Sequence, residues 1–140
     1  GLRVPCIIRW PGRVPAGKTN DAFLTTLEIL PTLLQASQVK PPQDVILDGF
    51  DLLPVLRGEK PSARDTMCWQ RRHDKGARVG DWKWVDSNRG NGLFNLKTDV
   101  GEKKDLSVTH PNKLEELKQH FARWKKQMNA AEPRGPFQDY

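Results

Sequence analysis

At 140 residues the chain is long enough for one ordinary domain, or for the end of one domain followed by a small second one. A hydrophobic content of 36%, with five Trp and five Phe, supports a packed core and excludes a disordered chain, while 11 Pro and 11 Gly demand many turns. The net charge of +6 favours acidic partners such as nucleic acid, anionic lipid or sulfated sugar, and equally serves solubility.

The opening segment Arg3-Val4-Pro5-Cys6-Ile7-Ile8-Arg9-Trp10 is β-branched and apolar and stops at the turn dipeptide Pro11-Gly12, which predicts a short, largely buried strand. No charged and then apolar leader precedes it, so the chain reads as part of something longer. From Asn20 onward Phe23, Leu27, Leu30 and Leu34 recur at helical spacing, with Asn20 or Asp21 as the cap. Pro31 lies inside this pattern and predicts a kink or restart. A loop follows over 37–44, and then Asp51 is placed to cap a single helical turn through Leu56 that Gly58 ends.

The charged stretch 59–65 has linker composition, so the boundary between two parts is expected near residue 60. Beyond it the period changes to two. The stretches 67–70, 77–85 and 93–96 predict short strands of an antiparallel meander, with 86–92 a turn-rich connection. Pro111 opens a final helix whose Leu114, Leu117, Phe121, Trp124 and Met128 share one side, and the stripe is expected to cover one face of the sheet, over Trp82 and Trp84. Glu115, Glu116, Lys125 and Lys126 are arranged as the helix dipole prefers. After Asn129 the sequence loses its period and reads as an extended tail. The fold class is therefore α+β.

Catalytic constellations are missing. His73, His110 and His120 lack metal-ligand spacing, and Asp48 and Asp51 lack the further oxygens of a calcium loop. There is no phosphate cradle or nucleophile elbow. Cys6 and Cys68 belong to no Cys-x-x-Cys pattern and read as two small buried thiols, with one disulfide or none. No run approaches the roughly 20 apolar residues that cross a bilayer, so no membrane partner is expected. What stands out is the basic segment Trp69-Gln70-Arg71-Arg72-His73-Asp74-Lys75 between two strands. Arg71, Arg72, His73 and Lys75 are the candidate substrate-binding residues, because the guanidinium fork suits sulfate, phosphate or carboxylate. The bland alternative is a solvated hairpin tip.

Five stretches in series resemble the sulfatase family of the alkaline-phosphatase-like superfamily. Gly1-Leu2-Arg3-Val4-Pro5 followed by Trp10-Pro11-Gly12 is similar to the segment after the family's Glu-Gly-Gly motif. Leu30-Pro31-Thr32-Leu33-Leu34 resembles its Leu-Pro-Thr-Leu helix, and Leu47-Asp48-Gly49-Phe50-Asp51-Leu52 its Leu-Asp-Gly-x-Asp-Leu turn. Arg78-Val79-Gly80-Asp81-Trp82-Lys83 resembles its Arg-x-Gly-Asp-Trp-Lys strand, and Leu93-Phe94-Asn95-Leu96 with Asp99 and Gly101-Glu102 its Leu-Tyr-Asp-Leu…Asp-Pro-x-Glu stretch. Asn95, Val100 and Ser37 depart from the usual Asp, Pro and Gly.

The resemblance implies that residues 1–60 complete a large α/β catalytic domain and that 61–140 form a small C-terminal subdomain of antiparallel sheet, helix and tail. It implies a formylglycine nucleophile, calcium and sulfate-contacting residues in the part upstream of Gly1, so no residue here is catalytic or a metal ligand and this chain alone is expected to be inactive. The implied partners are the upstream catalytic domain and a sulfated small molecule or sugar, with secreted or periplasmic residence as the family norm. Two rivals remain at this point: a basic, Trp-bearing module that binds nucleic acid or sulfated polysaccharide without chemistry, and a phosphoesterase parent of the same superfamily.

Overall fold

A computed structural model describes residues 3–41 and 43–131. Contacts divide the chain between Arg64 and Asp65 into two units, Gly1–Arg64 and Asp65–Tyr140.

The second unit is built on hairpins. Strands β1 (Thr66–Arg71), β2 (Asp74–Val79), β3 (Trp82–Ser87) and β4 (Gly90–Asn95) lie in sequence order, every neighbouring pair antiparallel. The predicted strand over 77–85 is in fact two strands, because Gly80 takes a φ of +57° that reverses the chain. The reversal is held by the Gly80 amide, which donates to the Asp65 carbonyl at 2.8 Å, and by Arg78 Nε, which donates to the Gly80 carbonyl at 2.8 Å. The connection expected over 86–92 shrinks to Asn88 and Arg89, since Gly90, Asn91 and Gly92 pair with Ser87, Asp86 and Val85. Glycine's lack of a side chain suggested a turn, but the ladder overrides that preference.

Register aligns Cys68, Ala77, Trp84 and Leu93 in one row across the sheet. Helix α3 (Pro111–Ala130) covers that row with Leu117 and Phe121, and the six residues form the buried core. Trp84 meets Phe121 edge-on, with ring centroids 5.7 Å apart. Leu93 and Leu117 are completely buried, each worth about 2–3 kcal/mol of transfer free energy. Trp82, Leu106, Leu114 and Trp124 pack around this centre. Met128, the last residue of the predicted stripe, is 46% exposed because the core ends a turn earlier. The expected dipole match also fails: the first turn of α3 carries no acidic residue and its last turn no basic one, and the dipole's influence fades within one turn. Glu116 pairs instead with Lys113 at 2.6 Å, and Glu115 accepts from Gln119. The outer edge of β4 is closed by the following segment: the Leu93 amide donates to Asp105 Oδ1 at 2.9 Å, and the Leu106 amide to the Leu93 carbonyl at 2.8 Å.

The first unit contains a 3-10 turn, Thr26–Glu28, running into α1 (Ile29–Ala36), and the short α2 (Leu53–Leu56). The helix starts later than the periodicity suggested. Thr25 and Glu28 form a capping box, whereas Asn20 is spent on a local turn with the Ala22 amide and a bond to the Val55 carbonyl. The late start removes the expected kink: Pro31 lies in the first turn of α1, where its missing amide leaves nothing unpaired. Asp51 accepts from the Leu53 amide at 3.0 Å, and Gly58 follows α2 with a φ of +75°, both as the residues predict.

Residues 3–10 form no strand. A strand needs a hydrogen-bonding neighbour, and the described residues of this unit supply none, so Ile7 stands 95% exposed and Cys6 is exposed too. Both cysteines are free, and only Cys68 fits the expected buried thiol. The stretch 59–65 is tied down rather than a slack linker: Ser62 Oγ donates to the Phe23 carbonyl at 2.6 Å, and Arg64 binds Glu28. Of the tail, residues 132–140 lie outside the described residues.

Candidate anion-binding edge

The motifs that carry the family resemblance turn out to hold one another. Thr32 Oγ1 donates to the Glu28 carbonyl at 2.6 Å and accepts from the Leu52 amide at 2.9 Å, joining the Leu-Pro-Thr-Leu helix to the Leu-Asp-Gly-x-Asp-Leu turn. Gly49 presses against the 3-10 turn so closely that a methyl group there would collide with the Leu27 carbonyl and reach within 2.9 Å of the Glu28 nitrogen. Glu28, fully buried, receives Arg64 through Nε at 2.8 Å, and the same guanidinium donates to the Asp48 carbonyl at 3.0 Å and lies over the Phe50 ring. In the second unit Lys83, itself buried, binds Glu102 at 2.5 Å.

Two carboxylates in the segment after β4 are likewise committed. Asp99 accepts from the Lys104 and Lys103 amides, which hold its pKa below the ordinary 3.8. Asp105 is lowered by the Ser107 hydroxyl first and then by the Leu93 amide. Burial pushes the Cys68 thiol up to about 11, which makes it inert rather than nucleophilic. Among the described residues no three His, Cys, Asp or Glu side chains gather as a metal site, and no helix is long and apolar enough to cross a membrane.

The four candidate substrate-binding residues all lie on the β1–β2 hairpin, which is tighter than a loop. Arg71 ends β1 opposite Asp74, Arg72 and His73 make the turn, and Lys75 is in β2. Arg72 adopts a φ of +54°, as a two-residue hairpin turn asks of its first member. Pleat alternation separates the group. Lys75 shares the face of Ala77 and its ammonium is 3.6 Å from Asp86, whereas Arg71 belongs to the opposite face. Arg71, Arg72 and His73 are exposed. A groove of about 270 Å³ opens elsewhere in this unit, beside Trp84, Asp86, Asp105 and Lys118, with two carboxylates that disfavour an anion.

Sequence reasoning missed Arg89. The β3–β4 turn ends at the same side of the sheet as the β1–β2 turn, and the Asn88 amide donates to Asp74 Oδ1 at 3.3 Å, linking the two tips. The signal was available: in an up-and-down meander, alternate turns share an end.

A model of the family described as N-sulphoglucosamine sulphohydrolase, C-terminal, matches residues 1–130. The chain belongs to this family. As a sulfatase C-terminal portion it is 30% identical over 92 residues to N-acetylgalactosamine-6-sulfatase of Canis lupus familiaris, covering 62% of this chain and 18% of that protein. It is 38% identical over 77 residues to arylsulfatase D of Homo sapiens, covering 52% of this chain and 13% of the relative. An uncharacterised sulfatase of Schizosaccharomyces pombe is 29% identical over 135 residues, covering 86% and 24%.

Among solved structures, Ps i-CgsB in complex with k-i-k-neocarrahexaose superposes with a TM-score of 0.69 at 26% identity, over 82% of this chain and 27% of that one. A Bacteroides thetaiotaomicron protein solved in connection with the metabolism of multiple glycosaminoglycans gives a TM-score of 0.71 at 23% identity, over 86% and 28%, a likeness of fold. The sulfatase C-terminal portion thus spans less than a third of each of these relatives.

Proposed function

We propose that this chain completes a sulfatase whose nucleophile and metal lie upstream, acting first as structure and second as one wall of the substrate pocket. The observation that carries this reading is the fate of the motif residues: Thr32, Gly49, Asp51, Arg78, Lys83, Asp99 and Glu102 are each occupied in holding the chain together. None is left to act on a bond. The calcium ion and formylglycine that the resemblance implies do not fit the residues present, since Cys6-Ile7-Ile8-Arg9 and Cys68-Trp69-Gln70-Arg71 lack the required Pro and the described acids gather no ion. They belong, on this reading, to the upstream domain.

Unit Gly1–Arg64 is proposed to join that upstream domain. Its exposed Val4, Ile7, Leu30, Leu33 and Ile46 are more apolar surface than a finished unit leaves in water. Arg71, Arg72, His73 and Lys75 are proposed to contact an anionic, sulfated sugar at the pocket's leaving-group side. Two measurements test the reading. The purified 140-residue chain should show no arylsulfatase turnover, and turnover free of contaminating enzyme would overturn it. In the intact protein, Arg71→Ala with Arg72→Ala should raise KM for a sulfated oligosaccharide about tenfold while leaving a small aryl sulfate unaffected; equal effects on both would remove the hairpin from the pocket.

A further inference from the structure

Strand order brings together two hairpin tips that the sequence keeps apart. The β1–β2 tip carries Arg71 and Arg72, the β3–β4 tip carries Arg89, and both lie at the end of the sheet where Lys75 is paired with Asp86. The tips are two strand spacings apart, about 10 Å, and are linked through Asp74 and the Asn88 amide. In contrast to Arg57, Arg64, Lys83 and Lys113, which are in ion pairs, the guanidiniums of Arg71, Arg72 and Arg89 have no carboxylate partner among the described residues.

We infer that these two tips form a single cationic edge that binds a sulfated polysaccharide chain by two anionic groups at once, with Arg89 as the second contact. The inference rests on the proposed role of the β1–β2 hairpin and extends it from one sulfate to a polymer. An exposed guanidinium holds one sulfate weakly, because water screens the attraction and the side chain loses freedom. Two such contacts on one chain act together, since the second forms at the high effective concentration set by the first. The span between the tips exceeds a single sulfate group, so only an oligosaccharide bearing several sulfates reaches both. The chemistry favours sugar over nucleic acid: neither tip carries a Phe, Tyr or Trp on which a base would stack, while Arg forks match sulfate oxygens.

The test is titration calorimetry of the purified chain with heparin-derived di- and hexasaccharides at low salt. The hexasaccharide should bind at least about tenfold more tightly than the disaccharide. Arg89→Ala should abolish that advantage, weakening hexasaccharide binding about tenfold, lower its salt slope by about one and leave the disaccharide unchanged. Arg71→Ala should weaken both, and Arg123→Ala, on the exposed side of α3, neither. If Arg71→Ala weakens binding but Arg89→Ala does not, the edge is overturned and the hairpin contact stands. Indifference to both substitutions, or no binding, removes both. Single-stranded DNA of equal charge binding as tightly as the hexasaccharide would overturn the choice of partner.

Discussion

The two units solve the problem of stability differently. In Asp65–Tyr140 four strands and one helix close on Cys68, Ala77, Trp84, Leu93, Leu117 and Phe121, a core made entirely from its own chain. In Gly1–Arg64 the side chain most completely buried is an acid, Glu28, and organisation comes from polar ties: Thr25 and Arg64 to Glu28, Thr32 to Leu52. Leu52, Leu53 and Val55 are buried there, but many other apolar residues face outward, Ile7 at 95% and Ile46 at 91% exposure. Hydrophobic burial is non-directional and tolerates small adjustments, whereas a buried charged network demands every partner. The first unit is therefore specified more by a few contacts than by bulk.

Breaking each unit at its own centre should show this contrast. Leu117→Ala removes the central helix contact of the second unit and should cost about 3–5 kcal/mol in urea denaturation. A loss below about 1 kcal/mol would mean that α3 does not close the core. Gly49→Ala forces a methyl group into the backbone of the 3-10 turn and should cost about 3 kcal/mol, read as lost amide-exchange protection over residues 26–36. Unchanged protection there would show that the first unit is not held by this approach.

A smaller effect is expected at the edge of the sheet. Asp105→Ala strands the amide of fully buried Leu93 and should cost about 1–2 kcal/mol. It also tests the pH dependence. Because the folded pKa values of Asp99 and Asp105 lie below the ordinary 3.8, their stabilisation is present above that value and is lost as the pH falls through the lowered ones. The second unit should thus lose stability below about pH 4, with a shallower fall in Asp105→Ala; an identical slope would assign the acid sensitivity to other groups. Smallest in energy, but sharpest in contrast, is thiol reactivity at pH 8. Exposed Cys6 should react at once, while Cys68, pushed up to about 11, should wait for unfolding. Two rapidly reacting thiols would contradict a closed core.

Much of this architecture was legible in the residues. Alternation of period two signalled the meander, the stripe from Leu114 to Trp124 signalled α3, and Asp51 and Gly58 bracketed α2. The misreadings share a cause. The apolar segment 3–10 has strand chemistry but no neighbour to pair with, and Asn20 was a plausible cap that the capping box at Thr25 outcompeted. Gly90 and Gly92 look like turn residues and are ladder residues, because pairing with Ser87 and Val85 decides. Of the candidate site, composition located Arg71, Arg72, His73 and Lys75 but did not show that the pleat divides Arg71 from Lys75, or that Arg89 stands beside them.

By itself the sequence determined the α+β class, the hairpins, the terminal helix and, through five motifs in order, the family. Those signals are local, set by backbone propensity and side-chain period within a few residues. Only the tertiary structure decided why the motifs exist: Thr32 reaches Leu52 across 20 positions, Arg64 reaches Glu28 across 36, and Asn88 reaches Asp74 across 14. Such contacts depend on the path of the whole chain, which local propensity does not encode, and it is on that path that the cationic edge is assembled.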